Sequence, residues 1–137
     1  MNKTIITGNV GKQPEMRYTP SGQAVTSFSV AVNRKWKDDK GEHKETQWFR
    51  IATWGNLAEV CNQYVKQGMK VMVEGRLTCD PKTGGPKIWT RQDGTAGASF
   101  ELTAQSVEFL SGGRDDDGQA ASASGAQEEP EEDLIPF

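Results

Sequence analysis

The sequence predicts an all-β domain: a five-stranded Greek-key barrel with one short helix between strands three and four, followed by a disordered acidic tail. Three observations carry this. Short β-branched or alternating runs recur between turn residues from Lys3 to Leu110. One helical pattern follows the third run, and no other interrupts the series. From Ser111 onward few apolar side chains beyond alanine occur, too few to offset the entropy of ordering the segment. The chain therefore divides into a folded unit, 1–111, and a tail, 112–137.

The elements follow in order. "KTIITGNV" (Lys3–Val10) is β-branched and stops at Gly11, as a strand does. "QPEMRYTPSGQ" is a loop by its Pro14, Pro20 and Gly22, with a short extended piece at Met16–Tyr18. "AVTSFSVAVN" (Ala24–Asn33) sets Phe28, Val30 and Val32 against Ser27, Ser29 and Ala31, a strand with one buried face. "RKWKDDKGEHKE" is a charged hairpin tip around Gly41, and "TQWFRIATW" is the returning strand. In "GNLAEVCNQYVKQG", Asn56 is the expected N-cap, with Glu59 completing a capping box and Gly68 closing the helix; Tyr64 is expected in the core. "KVMVEGRL" (Lys70–Leu77) is the fourth strand, and "IWTRQDGTAG" forms hairpin arms around Asp93-Gly94. "SFELTAQSVEFL" (Ser99–Leu110) is the fifth. There Phe100, Leu102 and Ala104 alternate, and Val107 and Phe109 join that phase only after a one-residue slip, which predicts a bulge. Five short strands with one helix after the third match an OB-type barrel, whose usual ligand surface is the face of strands two and three.

The overall charge of −3 hides two opposite parts. The tail carries one Arg and eight acids, a net of −7, and the folded unit a net of +4. A basic body suits a polyanion and an acidic tail suits basic protein partners. Cys61 and Cys79 have no metal-ligand spacing, and with no signal peptide they suggest a reducing, cytoplasmic compartment. No apolar run approaches the ~20 residues that span a bilayer. No nucleophile–base pair, phosphate-cradling glycine loop or metal cluster is present, and His43 stands alone in a charged loop. Neither enzymatic activity nor a cofactor is expected.

The informative stretch is "TQWFRIATWGN". As a strand it puts Phe49, Ile51 and Thr53 on one face and Trp48, Arg50, Ala52 and Trp54 on the other. Both faces then carry large apolar groups, although the second should be wet. Basic residues accompany each tryptophan: Arg34 and Lys35 near Trp36, Arg50 between Trp48 and Trp54, Lys87 beside Trp89. Flat apolar platforms next to cations suit unpaired bases and their phosphates, with little sequence preference, because every base has a π-face. Trp54, before Gly55, is either a platform or a cap on the barrel. A single-stranded RNA module and a scaffold whose tail docks partners fit the same residues.

The tail ends in "EEPEEDLIPF". The acids alone would make a solubilising tail, but they do not account for a free apolar end. Asp133, Leu134, Ile135, Pro136 and Phe137 are therefore expected to form a short docking tip for partner proteins, with the carboxylate on a basic residue and the upstream acids steering encounter.

The combination "ITGNVGKQPEMRYTPSGQAVTSFSVAVNR", "WFRIATWGNLAEV", "VMVEGRL", "WTRQDG" and "EEDLIPF" resembles the bacterial single-stranded DNA-binding proteins, over nearly all of 3–110 and the tip. The resemblance implies an OB fold, a homotetramer with single-stranded DNA wrapped around it, a bacterial cytoplasmic, nucleoid-associated location, and a tail that recruits replication, repair and recombination proteins. It implies base-stacking roles for Trp36, Trp48 and Trp89, with Trp54 where the family more often has Phe. Phosphate contacts are implied at Arg17, Arg50 and Lys66. Two departures stand out: "DPKTGGP" lengthens the hairpin before Trp89, and "TAGAS" carries neither base nor aromatic.

Overall fold

The structure, a computed structural model, describes residues 1–110; the expected tail and its docking tip lie outside the described residues. The elements are β1 (Thr4–Val10), β2 (Glu15–Tyr18), β3 (Ala24–Asp38), β4 (Gly41–Trp54), α1 (Gly55–Tyr64), β5 (Lys70–Leu77), β6 (Ile88–Thr90), β7 (Ala96–Ala98) and β8 (Phe100–Phe109). Strands β1, β5, β8, β4 and β3 hydrogen-bond in that order, and β3 returns to β1 through Asn9–Ala31 and Val10–Val30, closing a five-stranded barrel. The β4–β8 pairing is parallel and the other barrel pairings antiparallel. Strand β2 is an edge on β3, and β6–β7 form a separate two-stranded ribbon. This is the expected OB-type barrel, with one helix among the described residues.

Alternation explains the core. Phe28, Val30, Phe49, Ile51, Val71, Val73, Leu102 and Ala104 point inward from their strands and are buried. The helix closes one end with Ala58 and Cys61, followed by Val65. One buried hydroxyl fastens it there, and a second ties β4 to β3 beneath it. Thr26 Oγ1 donates to the Ala58 carbonyl at 2.6 Å, and Thr53 Oγ1 donates to the Thr26 carbonyl at 3.0 Å. Neither hydroxyl is left unsatisfied, so their burial is tolerated. The expected bulge is present: Ser106 pairs with Glu74 and Ala104 with Gly75, so Gln105 is the extra residue.

Three sequence expectations are corrected. Strand β4 runs directly into the helix, so Trp54 is the N-cap, without a side-chain cap bond, and Asn56 already lies inside α1. The helix ends at Tyr64 with Val65 extended; Gly68, at φ 87°, instead turns the chain so that its amide reaches the Val10 carbonyl. Tyr64 is 51% exposed rather than core, with its ring 6.1 Å from that of Phe109. The helix is short, and its buried face is spent on small Ala58 and Cys61, which leaves Tyr64 turned outward.

Candidate nucleic-acid interface

Strands β3 and β4 pair continuously from Val25–Trp54 to Asp38–Gly41, and so project beyond the barrel as a two-stranded ribbon. The register fixes what each face carries, since directly paired residues point the same way. On the outer face β4 presents Trp48, Arg50, Ala52 and Trp54; opposite them β3 presents Ala31, Ser29, Ser27 and Val25. Large groups therefore stand on one strand beside small ones on its neighbour. This leaves a shallow lane along the tryptophan edges. Trp48 and Trp54 are six residues apart, or ~20 Å at the usual strand rise. Both are surface groups, 52% and 43% exposed. Trp54 belongs to the outer face and is absent from the core, so it does not plug the barrel.

Trp48 is held in place from below. A methyl group built on Gly11 would come within 2.5 Å of the Trp48 ring, so the indole lies against the Gly11 backbone, which itself donates to the Ser29 carbonyl at 2.9 Å. Only a residue without Cβ allows that approach.

The positive groups fall into two kinds. Arg17 stands on β2, in one row with Val25 and Trp54, and Arg50 lies between the two tryptophans. Farther out, Lys35 and Lys44 are direct cross-strand partners on the same outer face. Like charges placed opposite each other repel, and an anion between them relieves the repulsion. Lys44 has no signal in the sequence, because its pairing depends on the hairpin register. The other kind is already engaged: Arg34 Nη1 lies 3.5 Å from Glu45 Oε2, and Lys87 Nζ lies 3.4 Å from Glu101 Oε1. Both pairs are exposed and hence weak, so a phosphate can replace the carboxylate at small cost. Lys66 lies apart from the ribbon, in the turn after α1.

Trp36 is not brought onto the Trp48 face. Its position follows the alternation of Phe28, Val30 and Val32, beyond the end of the barrel. There it is half-buried in a local stack. The Arg34 guanidinium lies 4.3 Å from the ring centroid, and the His43 ring, directly across the ladder, is 5.3 Å away at 24°. His43 Nε2 contacts Asp38 Oδ1 at 2.9 Å. His43, plain surface by sequence, thus belongs to the setting of Trp36.

Trp89 stands on the β6–β7 ribbon opposite Gly97, and its indole covers that glycine so closely that no Cβ fits there. Arg91 lies 5.1 Å from the indole centroid and donates to the Ala96 carbonyl at 2.5 Å. The turn is braced by hydrogen bonds: the Thr95 hydroxyl and amide both donate to Asp93 and hold its carboxyl below the usual range. The inserted 80–86 stretch is closed on itself by Asp80, which bonds Gly84 and Gly85 through its backbone and the Lys82 amide through its carboxylate. "TAGAS" is accordingly a cover for one indole face.

The alternation of Phe100 with Leu102 places it in the core by sequence. The structure leaves it 50% exposed, because the barrel wall formed by β4 and β8 begins only at the Phe49–Phe100 pair. Among the described residues no cluster of His, Cys, Asp and Glu is placed to hold a metal ion. No helix there is long and apolar enough to cross a membrane.

Comparison with known proteins gives this lane a context. The profile of the Single-strand binding protein family matches residues 1–110. The chain belongs to that family. Among its relatives, Single-stranded DNA-binding protein 1 of Chlorobaculum tepidum is 38% identical over 135 residues, covering 95% of this chain and 76% of the relative. The Single-stranded DNA-binding protein of Neisseria meningitidis serogroup A is 36% identical over 121 residues, covering 88% of this chain and 66% of its own length. Solved structures of the family share the fold. A small single-stranded DNA-binding protein from Streptomyces coelicolor superposes with a TM-score of 0.64 at 22% identity, over 78% of this chain and 92% of that one. The Plasmodium falciparum SSB, solved in complex with ssDNA, gives 0.64 at 25% identity over 81% and 96%.

Proposed function

We propose that this protein binds single-stranded DNA with little sequence preference, without enzymatic activity. The observation that carries the reading is the outer lane of the β3–β4 ribbon. Trp48 and Trp54 flank Arg50, and small Ser27, Ser29 and Ala31 lie alongside. Family membership and the ssDNA complex of the Plasmodium relative support the same ligand. Bases stack on the exposed indoles of Trp48, Trp54 and Trp89, with Trp36 extending the path at the ribbon arm. Phosphates meet Arg17, Lys35 and Arg50 directly. They meet Arg34 and Lys87 by displacing Glu45 and Glu101. Lys66 serves a strand that continues past the helix. No base edge need be read, so affinity comes from stacking and from released counterions.

The wider role follows from the family reading. The chain assembles as a homotetramer in the bacterial cytoplasm, associated with the nucleoid, and protects single strands during replication, repair and recombination. It recruits the proteins of those processes through Asp133–Phe137, where acids precede a short apolar run. Titration of the full chain with poly-dT at two salt concentrations tests the binding. Quenched tryptophan emission and affinity that falls with salt are expected; absence of quenching would overturn the stacking lane.

A further inference from the structure

The sequence assigns no ligand role to Phe100, and its place in the fold gives it one. We infer that Phe100 is an additional base-stacking platform, which takes a base of single-stranded DNA in the groove between the outer end of β4 and the start of β8. The inference rests on the single-strand binding proposed above.

The groove arises from the topology. Pairing of β4 with β8 starts at Phe49–Phe100, so Glu45–Trp48 have β3 along one edge and only the Ala98–Phe100 segment facing the other. The opening between them holds about 510 Å³ and is lined by Glu45, Thr46, Gln47, Trp48, Ala98, Ser99 and Phe100. That is within the ~300–1,000 Å³ of ordinary small-molecule sites. Two of its walls are aromatic. Trp48 belongs to the outer lane, whereas Phe100, paired with Phe49, belongs to the opposite phase, so the groove leads from that lane around the open edge of β4. Gln47 offers a polar group to a base edge, while the Thr46 and Ser99 hydroxyls already donate to Asn33 and Glu101 and retain only their acceptor side. The carboxylate of Glu45 lies beside Arg34, and Lys87 pairs with Glu101, next to Phe100 in the chain. A phosphate therefore finds cations on both sides.

Phe100 is also open. Its ring touches Phe49 at 5.7 Å and 37°, which fixes its orientation, yet half of it remains exposed. The preceding residues, Ala96 to Ser99, are too small to cover it, and Gly97 is itself under Trp89. A large apolar ring, packed on Phe49 on one side and bare on the other, suits a flat ligand.

The test uses the full chain and a short oligo-dT at fixed salt, comparing wild type with Phe100→Leu, Phe100→Tyr and Trp48→Ala. Leucine retains the apolar packing onto Phe49 but lacks a π-face; tyrosine retains both. Phe100→Leu is expected to weaken binding roughly 5-fold or more, with Phe100→Tyr near wild type. Because Phe100 meets no phosphate, the slope of log affinity against log salt stays unchanged. Photocrosslinking with 5-iododeoxyuridine oligomers is expected to mark Phe100. Loss of affinity in Trp48→Ala, with Phe100→Leu at wild-type affinity and no crosslink at Phe100, overturns the platform while leaving the binding lane intact. The platform is likewise overturned if Phe100→Leu alters only the sedimentation of the protein, since the ring would then be covered by another copy. Wild-type protein that fails to bind oligo-dT overturns both.

Discussion

The indole of Trp48 rests on the backbone of Gly11, close enough that a single methyl group on the glycine would meet the ring at 2.5 Å. A loop residue thereby sets the angle of an exposed indole. Gly11→Ala is expected to tilt Trp48 rather than unfold the barrel, because the obstructed atoms are the far edge of a surface ring. Affinity for poly-dT should fall several-fold, toward that of Trp48→Ala, with the thermal midpoint nearly unchanged. Wild-type affinity in Gly11→Ala would show that the orientation of Trp48 does not matter.

Trp48→Ala removes a whole platform and should cost about 1–3 kcal/mol of binding, the usual worth of a base–aromatic stack. Trp36→Ala should cost less in direct stacking, since Arg34 and His43 already pack against its ring. It should also release Arg34 and His43 from their present positions. Titrations with oligo-dT, fitted for each variant, check the order of the two effects. A matched RNA oligomer in competition decides the nucleic acid; a preference for RNA would point to readout of the 2′-hydroxyl.

Lys35 and Lys44 stand directly opposite each other, which favours an anion at the cost of mutual repulsion. Replacing both by alanine should lower the salt slope by about 0.7, the value for one phosphate of a single strand that is no longer neutralised. Stability should not fall, and a small rise is expected. Lys87→Ala should change the slope less, because its charge is partly matched by Glu101 beforehand. Affinities measured across a salt series separate these cases.

Thr26 joins the helix to the barrel floor through its hydroxyl on the Ala58 carbonyl. Thr26→Val keeps the shape and removes the bond. A loss of about 1 kcal/mol of unfolding free energy is expected, read from denaturant midpoints, with poly-dT affinity preserved. Loss of binding in this variant would mean that the helix position shapes the lane.

Cys61 is buried on the inner face of the helix, and desolvation pushes its thiol up to about 11, against a smaller lowering by the Thr53 hydroxyl. The folded state therefore holds its proton where the unfolded chain, with an ordinary thiol near 9, loses it. Its contribution to stability is complete below pH 9 and disappears as pH rises toward 11. The alkaline loss should be smaller in Cys61→Ala than in wild type when the two are compared by thermal unfolding. At about pH 8, exposed Cys79 should react with thiol reagents and Cys61 should not.

Much of this protein was legible in its residues. Period-two alternation in Ala24–Asn33 and Gln47–Trp54 fixed which side chains face the core, because a strand admits only two faces. The misfit of Val107 with Phe100 and Leu102 located the bulge, since an extra residue must reverse the phase. Two indoles and a guanidinium on the wet phase of β4 marked the lane. What the residues could not reveal was distance between separate elements. Where β8 begins to pair with β4 decides that Phe100 is outside the barrel and Leu102 inside, although both share one phase. The β3–β4 register decides that Lys35 faces Lys44, and that Trp36 stands in the phase opposite to Trp48. The close approaches of Trp48 to Gly11 and Trp89 to Gly97 join chain segments whose meeting only the closed fold creates. Local alternation is a property of the backbone and is written in sequence; the end of a barrel wall is set by how far two strands overlap, which is a property of the assembled sheet.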